Sequence, residues 1–235
     1  MRILCLLAGL ACVAPSALAA PLSFYAESNL GTALIDRGEQ LAEEVNETPL
    51  GVELGVGAGT VFADVYRITP LGNRDDLFTE EVDYTLGYAF EAAGSGITVG
   101  GSWLTYPGTN ETESLELFSE IGLPAPFDPV VAAFYDTEFE DYGLEATAGK
   151  SIDVLGLTLY GIGRIGAVEP GEGEGWTYYG AEFGAERELV GGLGAYARLR
   201  LEQSSEDTFF TSTDAPVLSP DNGGVAFTLG LTFAH

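Results

Sequence analysis

The chain has 235 residues, with 36 Asp and Glu against 9 Lys and Arg, for a formal charge of -27. That carboxylate excess repels polyanions and excludes nucleic acid as a partner. A hydrophobic content of 46% with 13 Phe and 11 Tyr excludes an acidic disordered chain, and the length with 32 glycines suits one domain of strands and turns.

At the N-terminus, Met1-Arg2 precedes an apolar run from Ile3 to Val13, and Ala17-Leu18-Ala19 stands before Ala20-Pro21. This is the charge, core and small-residue cleavage pattern of a secretory signal, so residues 1–19 are expected to be removed. Both cysteines, Cys5 and Cys12, fall inside it, which leaves the mature chain without a thiol or disulfide. Gly9 stands three residues before Cys12, where a lipoprotein signal carries a larger aliphatic residue, and this argues against lipidation. No later apolar stretch approaches the roughly 18 residues of a spanning helix, so any crossing of a membrane must use strands.

Candidate strands lie at 22–33, 49–57, 60–67, 81–91, 96–106, 113–122, 128–136, 140–150, 154–165, 176–186, 190–203 and 224–235. In the fourth, Val82, Tyr84, Leu86, Tyr88 and Phe90 alternate with Asp83, Thr85, Gly87 and Ala89. In the sixth, Leu115, Leu117 and Ile121 oppose Glu116 and Glu120. In the eighth, Tyr142, Leu144, Ala146 and Ala148 oppose Glu145, Thr147 and Gly149. In the eleventh, Leu193, Ala195, Ala197, Leu199 and Leu201 oppose Tyr196, Arg198, Arg200 and Glu202, and in the last Val225, Phe227, Leu229, Leu231 and Phe233 oppose Ala226, Thr228, Gly230 and Thr232. Period-two spacing puts each set on opposite faces of a strand.

Alternation alone does not say which face meets which solvent, because a soluble lipocalin-like binder carries it too. Strand length decides: most of these segments run about 9 to 12 residues, long enough to cross a bilayer with tilt and longer than the usual globular strand. Connections alternate between long acidic ones (34–48, 68–80, 107–112, 166–175, 204–223) and short ones (58–59, 92–95, 123–127, 151–153, 187–189), with 137–139 short where a long one is due. The expected fold is all-β: a single antiparallel up-and-down transmembrane β-barrel of about twelve strands, with ten as the alternative count, set in the outer membrane against lipid.

Fragments along the mature chain resemble the TorF family of porin-like proteins: Asp36-Arg37-Gly38 after the first strand, Glu81-Val82-Asp83 followed by Leu86-Gly87-Tyr88, Tyr106-Pro107-Gly108, and Glu113-Ser114-Leu115-Glu116. Gly31-Thr32-Ala33-Leu34-Ile35 departs from that family's aromatic-rich approach to the Arg-Gly pair. The resemblance implies an outer-membrane barrel more firmly than it implies transport.

Catalysis has little to build on. His235 is the sole histidine and the last residue, far from the long loops, so a His-dependent triad or dyad is not expected and no catalytic residue is assigned. The inward row holds Arg164, Arg198 and Arg200 on strands nine and eleven, with Glu182 on strand ten between them. These residues form either a charged constriction that selects ions or a salt-bridge cluster that plugs a small lumen. Inward acids Asp64, Asp83, Glu116, Glu120 and Glu145 outnumber the cations, so an open lumen is expected to prefer cations; the competing reading is a solvated wall without consequence. The acidic loops 169–175 and 214–222 lack the spacing of a calcium loop, and no metal or cofactor is assigned. Tyr25, Phe62, Tyr66, Trp103, Tyr106, Phe134, Tyr135, Trp176, Tyr178 and Tyr179 lie near strand ends, as interfacial girdles or as core. The expected function is passive diffusion of small solutes or ions through a monomer, with a closed structural or adhesion barrel and a soluble periplasmic binder as rivals.

Overall fold

A computed structural model describes residues 22–71, 80–108, 112–213 and 217–235, together with a short pairing of Leu4–Cys5 with Leu10–Ala11. The rest of the expected leader, and residues 214–216 of the acidic 214–222 loop, lie outside the described residues.

Twelve strands close into one antiparallel barrel: β1 (Ser23–Gly31), β2 (Val45–Val56), β3 (Gly59–Pro70), β4 (Glu81–Ala92), β5 (Ser95–Thr105), β6 (Ser114–Gly122), β7 (Val130–Asp136), β8 (Tyr142–Val154), β9 (Leu157–Glu169), β10 (Trp176–Val190), β11 (Leu193–Ser204) and β12 (Gly223–Ala234). Each pairs with its sequence neighbours. The seam is β12 against β1, where Leu231 stands opposite Ser28, and Phe24 and His235 exchange backbone hydrogen bonds at 3.0 Å. Closure leaves no edge, and lipid requires this because it offers unpaired amides no partner. A strand of 12 residues, such as β2, is about 40 Å long and, tilted as in such barrels, covers about 30 Å.

All twelve expected strands are present, and the alternative count of ten is excluded. Two of the expected short connections lie elsewhere. Segment 151–153 is strand, and the turn is Leu155-Gly156, both at positive φ; segment 187–189 is strand with a bulge near Glu188, and the turn is Gly191-Gly192. With Ala93-Gly94 these two-residue turns have the left-handed backbone that matches the twist of paired strands.

The two faces separate by chemistry. Outside stand Leu50, Leu54, Tyr84, Leu86, Leu144, Ile165, Phe183, Leu229 and Leu231, all about half exposed in the isolated chain, while the buried row carries Glu27, Asn29, Glu47, Asp64, Asp83, Glu145, Arg164, Glu182, Arg200 and Glu202. The inside is packed by a recurring device. Tyr25 covers Gly51, Phe62 covers Gly87, Phe118 covers Gly100, Phe134 covers Gly143, Tyr178 covers Gly166, Tyr160 covers Gly184 and Tyr196 covers Gly230, and each is a direct cross-strand pair. A Cβ at any of these glycines would come 2.1 to 2.6 Å from a ring atom. The rings therefore lie along the wall instead of across the lumen.

The aromatics named from the sequence divide between the two faces. Trp103, Tyr135 and Tyr179 point outward near the loop side, where Trp103 sits 6.3 Å from Tyr84. Tyr25, Tyr66 and Tyr178 are buried in the lumen.

Candidate functional site

The lumen is crossed by a part of the chain that reads as an ordinary loop. Between β1 and β2, Leu34–Asp36 pairs with Glu39–Ala42 as a small hairpin around Arg37-Gly38, both at positive φ. It does not project into solvent. Leu34 and Ala42 are buried against Val45, Tyr66 and Ile68 at one flank, and Ile35 against Phe209 and Ala226 at the other. Among the described residues these two clusters form the apolar core, so burial of apolar surface is spent on docking the hairpin.

At its tip Arg37 reaches β6, where its guanidinium donates to both oxygens of Glu116 at 2.5 and 2.7 Å and lies 3.6 Å from the centre of the Phe134 ring. The planar fork suits this two-point grip. Three further bonds clamp the tip: Trp176 Nε1 donates to the Arg37 carbonyl at 2.8 Å, the Thr208 hydroxyl donates to the Gly38 carbonyl, and Gln40 N donates to Thr208 O at 3.0 Å. Gly38 is required here, because a Cβ would meet Tyr178 Cβ at 2.4 Å as well as a φ of 81°. Beside the tip, burial together with the charges of Asp36 and Asp141 pushes the Glu39 carboxyl up to about 7.

The residues singled out from the sequence distribute around this hairpin. Arg164, 5% exposed at its side chain, lies between Glu145 at 3.6 Å and Glu182 at 3.7 Å, near both and hydrogen-bonded to neither. Glu145 accepts from Tyr178 at 3.0 Å and Glu182 from Tyr160 at 3.2 Å. Arg200 stands opposite Glu182 in the register, yet it donates to Glu202 on its own strand at 2.7 Å. Arg198 reaches Glu47 on β2 at 3.5 Å and does not join Glu182. Asp64 and Asp83 are buried on β3 and β4, Glu116 holds Arg37, and Glu120 is half-buried on β6 opposite Ala132. Inward-facing positive charge on the strands thus occupies β9 and β11, whereas the charged residues in the described inward rows of β1 to β6 are carboxylates.

Reading from the sequence missed the docked hairpin, Arg37 as its latch, and Glu47 and Glu202 as arginine partners. A signal was present, since Arg37-Gly38 flanked by Leu34-Ile35 and Leu41-Ala42 has the form of a tight hairpin. The acidic segment 169–175 contributes a backbone bond, Gly171 N to Asp141 Oδ1 at 2.8 Å, and no group of three or more metal-binding side chains occurs among the described residues.

No protein-family model and no curated protein matches this sequence, so the TorF resemblance rests on the fragments given above. Among solved structures, the chain is similar to the COG4313 outer membrane channel from Pseudomonas putida F1, with 10% identity and a TM-score of 0.52 over 95% of this chain and 100% of that one. A second match is OmpT, an outer membrane protein of Vibrio cholerae, with 11% identity and a TM-score of 0.38 over 91% of this chain and 97% of that one. At such identity the first likeness concerns the fold, a closed outer-membrane-type barrel.

Proposed function

We propose that the mature chain is an outer-membrane porin-like channel, exported by its N-terminal signal, through which small hydrophilic solutes diffuse passively with a preference for cations. One observation carries this reading: the barrel is inside out relative to a soluble protein. Its apolar row faces outward, its ionisable row lines the interior, and a loop hairpin narrows that interior. A lipocalin-like periplasmic binder would have the reverse arrangement, with the apolar row around an enclosed ligand. The Pseudomonas putida channel of the same fold and the TorF resemblance both support the channel reading. The carboxylates of β1 to β6 would raise the local concentration of cations in a narrow, low-dielectric lumen. No catalytic role, cofactor or metal is assigned, and the protein is taken as a monomer.

The test is single-channel recording of the refolded mature protein in a planar bilayer under a salt gradient. Discrete steps with a cation-selective reversal potential are the expected outcome. The hairpin spanning the lumen favours a second reading, a closed structural or adhesion barrel. Folded, inserted protein that gives no steps, even when the hairpin is deleted, establishes that reading instead.

A further inference from the structure

On the turn side, below the hairpin, the lumen opens into a cavity of about 380 Å³ bounded by β1, β2 and β9 to β12. Its wall is a built surface. Tyr25, Tyr160 and Tyr196 each lie with one side against a cross-strand glycine, respectively Gly51, Gly184 and Gly230, which turns the other side toward the cavity. The rings are tied at both ends, because the Tyr160 hydroxyl donates to Glu182 and the Tyr196 hydroxyl to Glu27. Glu27, Glu53 and Glu186 stand among the rings. Among the described residues Arg198 is the one guanidinium lining the cavity, and it is engaged by Glu47 at 3.5 Å and lies over the Tyr196 ring, 5.4 Å from its centre.

Flat tyrosine faces with carboxylates between them suit one chemistry above others. A cation that carries hydrocarbon is attracted to the negative faces of Tyr25 and Tyr160 and to the carboxylates together, while Arg198 already lies over Tyr196, and such a cation gives up water more easily than sodium does. An anion meets three carboxylates against one arginine already in use. We infer that this vestibule is a binding site for small organic cations of the quaternary ammonium or alkylamine class. The inference deepens the channel reading, and rests on it, in one respect only: it makes the bound cation a solute that passes through. Fixed rings add little ordering cost on binding, since their hydroxyls and glycine partners already hold them.

The experiment uses the refolded mature protein and choline chloride as the probe, against sodium chloride at equal ionic strength, with calorimetric titration in micelles and recording in bilayers. Saturable choline heat is expected, with a choline-dependent block of current that is stronger from the turn side. Tyr160→Leu and Glu53→Gln each weaken choline binding about two- to fivefold, the scale of one cation–π or one screened charge contact, while Tyr160→Phe, which keeps the ring, binds nearly as the parent does. Choline heat indistinguishable from sodium overturns the inference, as does equal binding by a neutral sugar such as glucose. Choline binding without any current supports the site and removes the channel; current without choline binding does the opposite.

Discussion

At the scale of single residues, the lumen depends on glycines that make room for rings. Gly166 is the clearest case, since an added Cβ would stand 2.3 Å from Tyr178 Cζ, and Tyr178 is both the cover of Gly166 and the surface behind Gly38 of the hairpin. Gly166→Ala should push Tyr178 off the wall and destabilise the folded barrel by about 1–3 kcal/mol, the usual cost of overpacking. Gly96→Ala is the control, because it lies on the same kind of strand with nothing within 4 Å of the place its methyl would take. Urea unfolding in micelles separates the two, and equal midpoints would remove the packing argument. Gly87 and Gly230 stood out in the sequence as small residues on the polar rows, whereas Gly166 fell in the expected connection 166–175 and is strand in the structure. Their aromatic partners did not stand out, because a cross-strand pair joins residues tens of positions apart and only the register reveals it.

The elements differ in how far the sequence disclosed them, and the reason is the number of faces each one packs. Barrel strands have one lipid face and one lumen face, which writes a clean period of two. The hairpin packs on both flanks: Leu34 goes to Tyr66 and Ile68, and its neighbour Ile35 goes to Phe209 and Ala226, so two adjacent residues are both buried and the period disappears. Strand ends blur for the opposite reason, since residues 150–155 are exposed on both sides and Ser151 and Asp153 imitate a turn. Deleting 34–42, joined by a short glycine-serine link, should raise single-channel conductance several-fold with the barrel still folded, and Arg37→Ala should give a smaller rise by releasing only the latch. Glu39 adds a direction with pH. Its carboxyl is raised from 4.5 to about 7 when the hairpin is docked, so protonation favours docking. That contribution is complete below about pH 4.5 and is lost as pH rises through 7. Conductance should therefore increase across that window, and Glu39→Gln should remove this part of the response. A pH profile unchanged by Glu39→Gln would show that the hairpin does not sense protons there.

For the molecule as a whole, the governing fact is a lopsided distribution of charge. Of 9 Lys and Arg in the chain, Arg164, Arg198 and Arg200 line β9 and β11, and Arg37 is carried into the lumen by the hairpin, where Glu116 takes it up. The arc from β1 to β6 keeps Glu27, Glu47, Asp64 and Asp83 buried without an inward strand-borne cation of its own among the described residues, and Glu120 joins them half-buried. Arg198 offsets Glu47 from across the seam, and Glu27 and Glu53 belong to the turn-side cavity, so Asp64, Asp83 and Glu120 are among the acids that a passing ion meets above it. Selectivity should follow from those three. The variant Asp64→Asn, Asp83→Asn, Glu120→Gln preserves shape, and its permeability ratio should fall toward unity while its conductance in concentrated salt stays near that of the parent. The parent should itself lose selectivity between 0.1 M and 1 M salt, because the screening length shrinks from about 10 Å to about 3 Å and fixed charges on the wall cease to act across the lumen. If the triple variant retained the parent's reversal potential at low salt, ion preference would have to come from the hairpin and the β9–β11 arginines, and the carboxylate arc would be a solvated wall.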